Sequence, residues 1–396
     1  MPSYRFSISW PRIIPNGCVE GEEPVNEEGV RFYSNLIDEL LHHGIEPWVT
    51  LYHWDLPAQL ENNHGGMRGS RFADAFLFFA KTCFLRFGDR VKHWITLNEP
   101  WCVAVLGFAT GEQAPGRTSA STSEPYIVGH NMLLAHAKVV DFYRREIAPQ
   151  HGGQIGITFN SDWNEPRESA DQEAAKLIMA FRLGWYADPV YFGDYPEVMK
   201  RKLGSRLPTF TEEEKILLKG SSDFFGLNYY STHWIGRRSE PPPDPPQIIW
   251  DDDPGFAQRD GNYPVSDMGW SIVPWGLRKL LRYIHETYRP AGGIIITENG
   301  CAVNEPSVDA ALKSSVRTDY FRGHLLEVSR AIREDGVNCT GYFAWSLLDN
   351  FEWMFGYAKR FGLVYVDYES QKRTIKPAGH WYSQLVSTHK SKSKTL

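Results

Sequence analysis

Two glutamates follow short apolar runs of the kind that form buried β-strands. Glu99 comes just after residues 93–97 (His-Trp-Ile-Thr-Leu), and Glu298 comes just after residues 294–297 (Ile-Ile-Ile-Thr). Two carboxyl groups can cleave a glycosidic bond, because one delivers a proton to the leaving oxygen while the other faces the anomeric carbon as an anion. A single glutamate at a strand end usually caps a loop or faces solvent, so the hypothesis depends on what accompanies the pair.

Seven β-rich runs alternate with amphipathic helical segments along the chain. Strands are predicted near residues 4, 46, 93, 154, 223, 294 and 341. Helices are predicted near 27–43, 71–87, 127–147, 172–203, 275–287, 312–334 and 376–388, and Pro189 is expected to break the fourth in two. Repeated βα units imply a parallel sheet, and no strand is followed by a glycine-rich phosphate-binding turn. The predicted fold is α/β, a TIM (β/α)8-type barrel with seven of its eight βα units visible.

Polar and aromatic side chains follow six of these strands. In a parallel barrel the carboxyl ends of all strands meet at one rim, where active sites lie. The rim would therefore collect carboxylates, amides, an imidazole and aromatic rings, namely His53, Trp54, Asn98, Glu99, Trp101, Asn160, Tyr230, Glu298, Glu352 and Trp353. Each residue alone has an ordinary structural explanation, and the recurrence over six strand ends favours a sugar-cleaving site.

The composition narrows the classes of partner. Aromatic residues make up 14% of the chain and include 14 Trp, which fits either a large aromatic core or stacking on sugar rings. The formal net charge of -6 disfavours nucleic-acid binding, which needs clustered Lys and Arg. No apolar run of membrane-spanning length occurs, so no membrane association is expected. The sequence carries no signal for the oligomeric state.

The five cysteines are widely spaced, odd in number and without a CxxC pair. This pattern predicts neither a disulfide scaffold nor a zinc site, and it fits a reducing compartment. The first ten residues do not resemble a signal peptide, so a cytoplasmic location is predicted. Cleavage by two carboxyl groups needs no metal and no organic cofactor, so none is expected.

Several motifs resemble those of family 1 glycoside hydrolases. Residues 96–100 (Thr-Leu-Asn-Glu-Pro) resemble the TxNEP acid/base motif, and residues 296–300 (Ile-Thr-Glu-Asn-Gly) resemble the [IV]TENG nucleophile motif. Residues 4–10, 52–55 and 345–353 also match the family pattern. The resemblance covers essentially the whole chain and is nearest to intracellular fungal β-glucosidases.

The resemblance implies a retaining β-glycosidase that releases terminal non-reducing β-D-glucosyl residues from β-glucosides and cello-oligosaccharides, with a place in cellulose and polysaccharide degradation. Glu298 would be the nucleophile and Glu99 the acid/base. Arg5 and Tyr230 would support the nucleophile, and Trp101 with the 230–270 loop would line the aglycone side. The other implied sugar contacts are Asn98 at the 2-hydroxyl, His53 and Trp54 on the 3-hydroxyl side, Glu352 and Trp353 at the 4- and 6-hydroxyls, Trp345 and Phe361 at the ring, and Asn160 at the same rim.

Glu352 also bears on the choice of sugar. A carboxylate at the 6-hydroxyl would repel a 6-phosphate, so an unphosphorylated sugar is expected. Whether the sugar is glucose, galactose or fucose, and what the aglycone is, stays open. Transglycosylation by the same pair of glutamates is an alternative outcome.

The sequence departs from the family pattern at its start. It begins at what matches the family's second strand, so the first βα unit and its sugar-binding Gln are not seen. Three explanations are open: a fragment of an active enzyme, a short form with weak or no activity that keeps only sugar binding, or another strand in the gap. We expect one catalytic domain over 1–396, with the Pro-rich 230–270 region as an insertion rather than a linker.

Overall fold

The computed structural model describes residues 1–17, 25–238, 240–252, 255–258 and 260–392. Its central sheet has seven parallel strands among these residues. They are β1 (Ser3–Ser7), β2 (Glu46–Tyr52), β3 (His93–Asn98), β4 (Gln154–Asn160), β5 (Phe225–Asn228), β6 (Ile294–Asn299) and β7 (Cys339–Ala344). Each predicted strand is therefore confirmed.

The seven strands lie in chain order around the sheet. Neighbours pair in parallel, with Arg5 opposite Trp48 at one end of the series and Ile294 opposite Cys339 at the other. Parallel neighbours require crossovers, and the helices between the strands provide them. The predicted α/β barrel with seven visible strands is confirmed as a nearly closed parallel barrel.

The two edge strands of the barrel are β1 and β7. Within the described part of the chain, neither pairs with a further strand of the barrel. A cavity of about 730 Å³ lies between them and reaches Arg5, His53 and Trp345 at the carboxyl rim. The cavity therefore extends from the gap between β1 and β7 to the carboxyl rim of the barrel.

Burial explains why these runs form strands. All six residues of β6 and six of the seven in β2 are buried, as expected for strands covered on both faces by side chains and helices. Trp10, Trp94 and Trp185 are fully buried in the surrounding core. Part of the high aromatic content therefore serves the packing of the hydrophobic core.

The α-helices surround the sheet. Their bounds are Trp10–Ile13, Glu27–His42, Ala58–His64, Phe72–Phe87, Pro100–Phe108, Glu124–Phe142, Ala148–His151, Gln172–Met179, Trp185–Phe192, Glu197–Leu203, Glu212–Leu218, Pro274–Tyr288, Val308–Lys313, Val316–Glu334 and Pro377–Lys392. Single turns of 3-10 helix occupy Gly66–Arg68, Ser169–Asp171, Gly204–Arg206, Ile249–Asp252 and Trp353–Phe355, and π-helical turns occupy Tyr143–Ile147 and Ala180–Gly184.

The prediction of a helix break at Pro189 is wrong. Pro189 lies inside the helix Trp185–Phe192, and the break falls at Gly193. Gly193 adopts φ 94°, a left-handed conformation that glycine reaches without steric cost, and its N–H bonds to the carbonyl of Pro189. Glycine therefore sets this boundary.

The predicted 230–270 loop is partly regular. Thr232–Arg237 pairs in parallel with Trp163–Pro166 and in antiparallel fashion with Gly255–Gln258, which makes a small three-stranded sheet beside the barrel. A short hairpin of Val364–Val366 and Arg373–Ile375 follows the barrel strands. Among the described residues, no helix is both long and apolar enough to cross a membrane.

Candidate active site

Glu99 and Glu298 lie at the carboxyl ends of β3 and β6. Glu99 is the N-cap of the helix Pro100–Phe108, and its backbone has φ 50°, which turns the chain from strand to helix at the carboxylate. Pro100 then occupies the first helical position, where its fixed φ is suited and its missing N–H costs nothing. Both glutamates are buried, with 6% and 3% of their surface exposed, so their charges are incompletely hydrated.

Two donors hold Glu298. Arg5 Nη1 lies 2.5 Å from Glu298 Oε1, and the Tyr230 hydroxyl donates to Glu298 Oε2 at 2.6 Å. Arg5 supplies a positive charge and a hydrogen bond to one carboxylate oxygen, and Tyr230 supplies a hydrogen bond to the other. Burial raises the pKa of Tyr230 well above its usual range, and Glu298 adds to the shift, so this phenol keeps its proton and stays a donor.

Glu99 has the opposite environment. Burial, followed by the negative charge of Glu298, raises the pKa of Glu99 to about 8. Asn228 Nδ2 donates to Glu99 Oε1 at 2.6 Å, and the thiol of Cys102 also hydrogen-bonds to this carboxyl group. These bonds and the charge of Arg5 lower the pKa but do not offset burial. Glu99 therefore keeps its proton near neutral pH, beside a second carboxyl group that is paired with Arg5.

Asn98 connects the partner of Glu298, Arg5, with His53 and Trp54 on the rim. Its Oδ1 accepts from Arg5 Nη2 at 2.6 Å, and its Nδ2 lies 3.1 Å from His53 Nε2. Trp54 Nε1 donates to the Asn98 carbonyl at 2.9 Å. Burial and the charge of Arg5 lower the pKa of His53 well below its usual range, so the imidazole is neutral. Neutral His53 can accept a hydrogen bond at one nitrogen and donate at the other.

Aromatic rings cover the rim beside this network. Trp54 and Trp353 lie 4.7 Å apart between ring centroids, and His53 lies 5.6 Å from Trp353 and 5.9 Å from Trp345. Phe361 contacts Tyr230 at 6.0 Å. The structure thus brings together the aromatic residues predicted from sequence, and one of them, Trp54, also packs against the hydrophobic core.

Glu352 lies in the loop after β7, close enough to Glu298 for their charges to interact. Burial, followed by the charge of Glu298, raises the pKa of Glu352 to about 7, and a hydrogen bond from Trp345 opposes the shift. Asn160 ends β4 opposite Asn228, and its Oδ1 is buried with no hydrogen-bond partner among the described residues. An unsatisfied buried acceptor at this rim is suited to a ligand hydroxyl.

Trp101 lies on the outer side of the rim, in the first turn of the helix after Glu99. Its ring is 6.2 Å from that of Trp250, and the guanidinium of Arg182 lies over both rings at 4.4 and 4.7 Å. Trp250 belongs to the 3-10 turn Ile249–Asp252 of the predicted insertion. The predicted insertion therefore contacts the helix that begins directly after Glu99.

Sequence reasoning missed four residues that the structure brings to the site. Asn228 ends β5 and bonds to Glu99, Cys102 follows Glu99 by one helical turn, Trp270 lies 5.3 Å from Tyr230, and Trp250 contacts Trp101. Asn228 had the same signal as the residues that were chosen, a polar side chain at a strand end. Trp250 and Trp270 lie within the 230–270 region that the resemblance placed on the aglycone side, but no local pattern singled out either residue.

In the part of the chain that the structure describes, no three His, Cys, Asp or Glu side chains are placed so that they could hold a metal ion. The two carboxyl groups and their hydrogen bonds from Arg5, Asn228 and Tyr230 support proton transfer and nucleophilic attack.

Comparison with known proteins agrees with this arrangement. The chain matches the sequence model of Glycosyl hydrolase family 1 over residues 1–391. It is 46% identical over 409 residues to Beta-glucosidase 1B of Phanerodontia chrysosporium, covering 99% of this chain and 74% of that protein. A rice beta-glucosidase structure aligns with TM-score 0.92 and 43% identity, over 96% of this chain and 84% of that one. A Humicola insolens beta-glucosidase in complex with glucose aligns with TM-score 0.91 and 40% identity, over 98% and 84%. The chain belongs to glycosyl hydrolase family 1.

Proposed function

We propose that this chain is a retaining β-glucosidase, with Glu298 as the nucleophile and Glu99 as the acid/base. The observation that carries the proposal is the difference between the two carboxyl environments. Glu99 has a pKa of about 8, whereas Glu298 receives hydrogen bonds from Arg5 and Tyr230. A protonated acid beside an anionic nucleophile is the starting state that double displacement requires.

In the first step Glu298 attacks the anomeric carbon and Glu99 gives its proton to the leaving oxygen. A bond forms from the carboxylate oxygen to the sugar, the bond to the aglycone breaks, and the aglycone departs as an alcohol. Arg5 and Tyr230 hold the two Glu298 oxygens in fixed positions, so little reorganisation is needed as the new bond forms.

In the second step Glu99, now ionised, takes a proton from water as that water attacks the glycosyl-enzyme. The bond between Glu298 and the sugar breaks and the carboxylate is restored. Asn228 and Cys102 stabilise the ionised Glu99 that this step needs, since each is a hydrogen-bond donor to its carboxylate. The same two donors therefore moderate a pKa that burial alone would raise further.

The sugar would lie between the glutamates and the aromatic rim. Asn98 and His53 offer a donor and an acceptor to ring hydroxyls, and Glu352 and Trp353 would contact the 4- and 6-hydroxyls. Trp345 and Phe361 would flank the sugar ring. Trp54 would lie on the 3-hydroxyl side, and Asn160 would lie on the same rim. Trp101 and Trp250 would form the aglycone side, where two indole faces suit an apolar or second-sugar aglycone.

Glucose is the favoured sugar, in β-glucosides and cellobiose-like oligosaccharides. Similar structures contain glucose in the Humicola insolens protein and covalently bound Glc in a rice beta-glucosidase variant, which supports a retaining mechanism. Glu352 disfavours a 6-phosphate by charge repulsion. A cytoplasmic site of action fits the four described cysteines, which are all free thiols. A role in breaking down cellulose fragments would follow from activity on cellobiose-like oligosaccharides.

The test is hydrolysis of 4-nitrophenyl β-glucoside by the wild type and by two variants given azide. Glu298→Ala leaves a space on the α face, so azide should give α-glucosyl azide. Glu99→Ala leaves a space on the β face, so azide should intercept the glycosyl-enzyme from a substrate with a good leaving group and give β-glucosyl azide. The opposite anomers would exchange the two roles. A folded wild type that binds glucose without turnover would instead favour a sugar-binding remnant.

A further inference from the structure

A chain of five charged side chains lies behind the loop that carries Glu352, with four of them buried and the fifth, Arg360, 13% exposed. It alternates in sign and consists of Arg317, Glu305, Lys376, Asp349 and Arg360. The successive shortest N–O distances are 2.8, 2.5, 2.8 and 2.7 Å. The chain closes on itself, because Arg317 Nη2 also donates to the Arg360 carbonyl at 2.8 Å.

Burial makes this arrangement an inefficient way to stabilise a fold. The side chains of Lys376 and Asp349 are 1% and 0% exposed, and burial lowers the pKa of Lys376 despite both carboxylate partners. A buried ion pair loses hydration that its own attraction often fails to restore, and well-packed apolar residues are frequently as stable. The network contains three cations and two anions, so each cation has an anionic partner but the network carries one net positive charge. The network is therefore better explained by the chain segments that it holds in position than by a gain in stability.

The network joins four separate parts of the chain. Glu305 follows the nucleophile strand β6, Arg317 lies in the helix Val316–Glu334, and Lys376 directly precedes the C-terminal helix Pro377–Lys392. Asp349 lies in the loop after β7 and accepts four hydrogen bonds, from Lys376, from Arg360 and from the N–H groups of residues 362 and 366. Both ends of that loop are therefore fixed through a single carboxylate.

Glu352 and Trp353 are the next functional side chains in the same loop. They follow Asp349 by three and four residues, and the loop returns to the network at Arg360. The intervening turn is closed by the Glu352 N–H, which donates to the Gly356 carbonyl at 2.6 Å. A displacement at Asp349 would consequently move Glu352 relative to Glu298. Glu298 lies on β6, the strand that precedes Glu305 of the network.

We propose that Lys376 and Asp349 are positioning residues that set Glu352 against the nucleophile strand and so determine how well the sugar's 4- and 6-hydroxyls are bound. The inference rests on the proposed function and on the contact of Glu352 with those hydroxyls. Lys376 acts through Glu352 and touches no substrate. Its loss should therefore affect recognition of the hydroxymethyl group more than the chemical steps.

The test compares 4-nitrophenyl β-glucoside with 4-nitrophenyl β-xyloside, which lacks the hydroxymethyl group. Lys376→Met keeps the length of the side chain and removes its charge. We expect KM for the glucoside to rise about tenfold with kcat changed less than about twofold, and KM for the xyloside to stay nearly constant. In a Glu352→Gln background, Lys376→Met should no longer change the preference for glucoside over xyloside, since the contact through which it acts is already lost.

Arg278→Met is the matched control, because Arg278 forms a two-bond ion pair with Asp335 away from the rim. It should leave the sugar preference unchanged. Equal losses for both substrates in Lys376→Met, together with a lower Tm, would mean a purely structural network and contradict the inference. If the wild type does not hydrolyse either substrate, the proposed function fails. Calorimetric binding of glucose and xylose to the same variants then decides the inference separately, and equal weakening or no binding rejects it.

Discussion

Asn228 and Glu99 are joined by a hydrogen bond of 2.6 Å from the amide of one to the carboxyl group of the other. The same amide group accepts a hydrogen bond from the Thr297 hydroxyl at 2.7 Å, one residue before Glu298. The amide therefore connects Glu99, the proposed acid/base, to the Thr297 side chain in the strand that carries Glu298. A single side chain on β5 thus links the positions of the two glutamates.

The pH dependence of hydrolysis should reflect the protonation of Glu99. Its pKa is raised to about 8 mainly by burial, so the protonated form needed in the first step persists through neutral pH and is lost above it. We expect kcat/KM for 4-nitrophenyl β-glucoside to fall as pH rises through about 8. Measuring kcat/KM at a series of pH values below and above about 8 tests this expectation. An alkaline limb near the ordinary value for a glutamate would contradict the assignment.

Cys102 should influence this alkaline limb. Its thiol hydrogen-bonds to Glu99, and burial raises the pKa of Cys102, so the thiol stays protonated as a donor. Cys102→Ala removes a donor that favours ionised Glu99, and the limb should move upward by about 0.5–1 pH unit. Cys102→Ser supplies a hydroxyl donor in its place and should largely restore the wild-type profile. A limb that does not move, or moves downward, would exclude this role for the thiol.

Arg5 should be essential for the nucleophile. It bonds to Glu298 and Asn98, and its side chain is 5% exposed, so Arg5→Met leaves a buried carboxylate without its counter-charge. We expect kcat/KM to fall by about 100-fold or more, with a lower Tm. Arg90→Met removes a surface pair with Asp38 and serves as the control. A variant of Arg5 with near-normal kcat/KM would show that Tyr230 alone suffices.

Asp252 should control the aglycone side. Its carboxylate accepts bonds from Arg206 at 2.6 and 2.8 Å and from the Tyr126 hydroxyl at 2.8 Å, and it ends the 3-10 turn that carries Trp250. Asp252→Ala releases this turn, so KM for cellobiose should rise roughly five- to tenfold, whereas KM for a methyl β-glucoside should change little. An equal change for both substrates would place the effect outside the aglycone side.

The sequence was sufficient to predict the barrel strands and most of the rim. Strands such as β6 are continuous β-branched runs, and burial on both faces is the condition that selects such runs. Glu99 and Glu298 follow their strands directly, so periodicity and strand ends were enough to find them. Their functional roles depended on the family motifs as well.

Contacts between distant segments could not be predicted in this way. Asp252 meets Tyr126, which lies 126 residues earlier, and Lys376 meets Glu305 across 71 residues, and nothing local marks either pair. The helix boundary at Gly193 was missed for a different reason. Proline is a strong local signal for a break, but here the chain accommodates Pro189 and ends the helix at a glycine four residues later.

The pair of indoles at the rim gives the site an optical signal of its own. Trp54 and Trp353 have ring centroids 4.7 Å apart with their planes inclined by 40°, close enough for their electronic transitions to couple. The circular dichroism of such a pair depends on the distance and the angle between its two rings. A sugar that packs against Trp353 would alter that geometry. Ligand binding at this site should therefore be visible as a change in the aromatic circular dichroism of the unlabelled protein, with no chromogenic leaving group, and absent in Trp353→Phe.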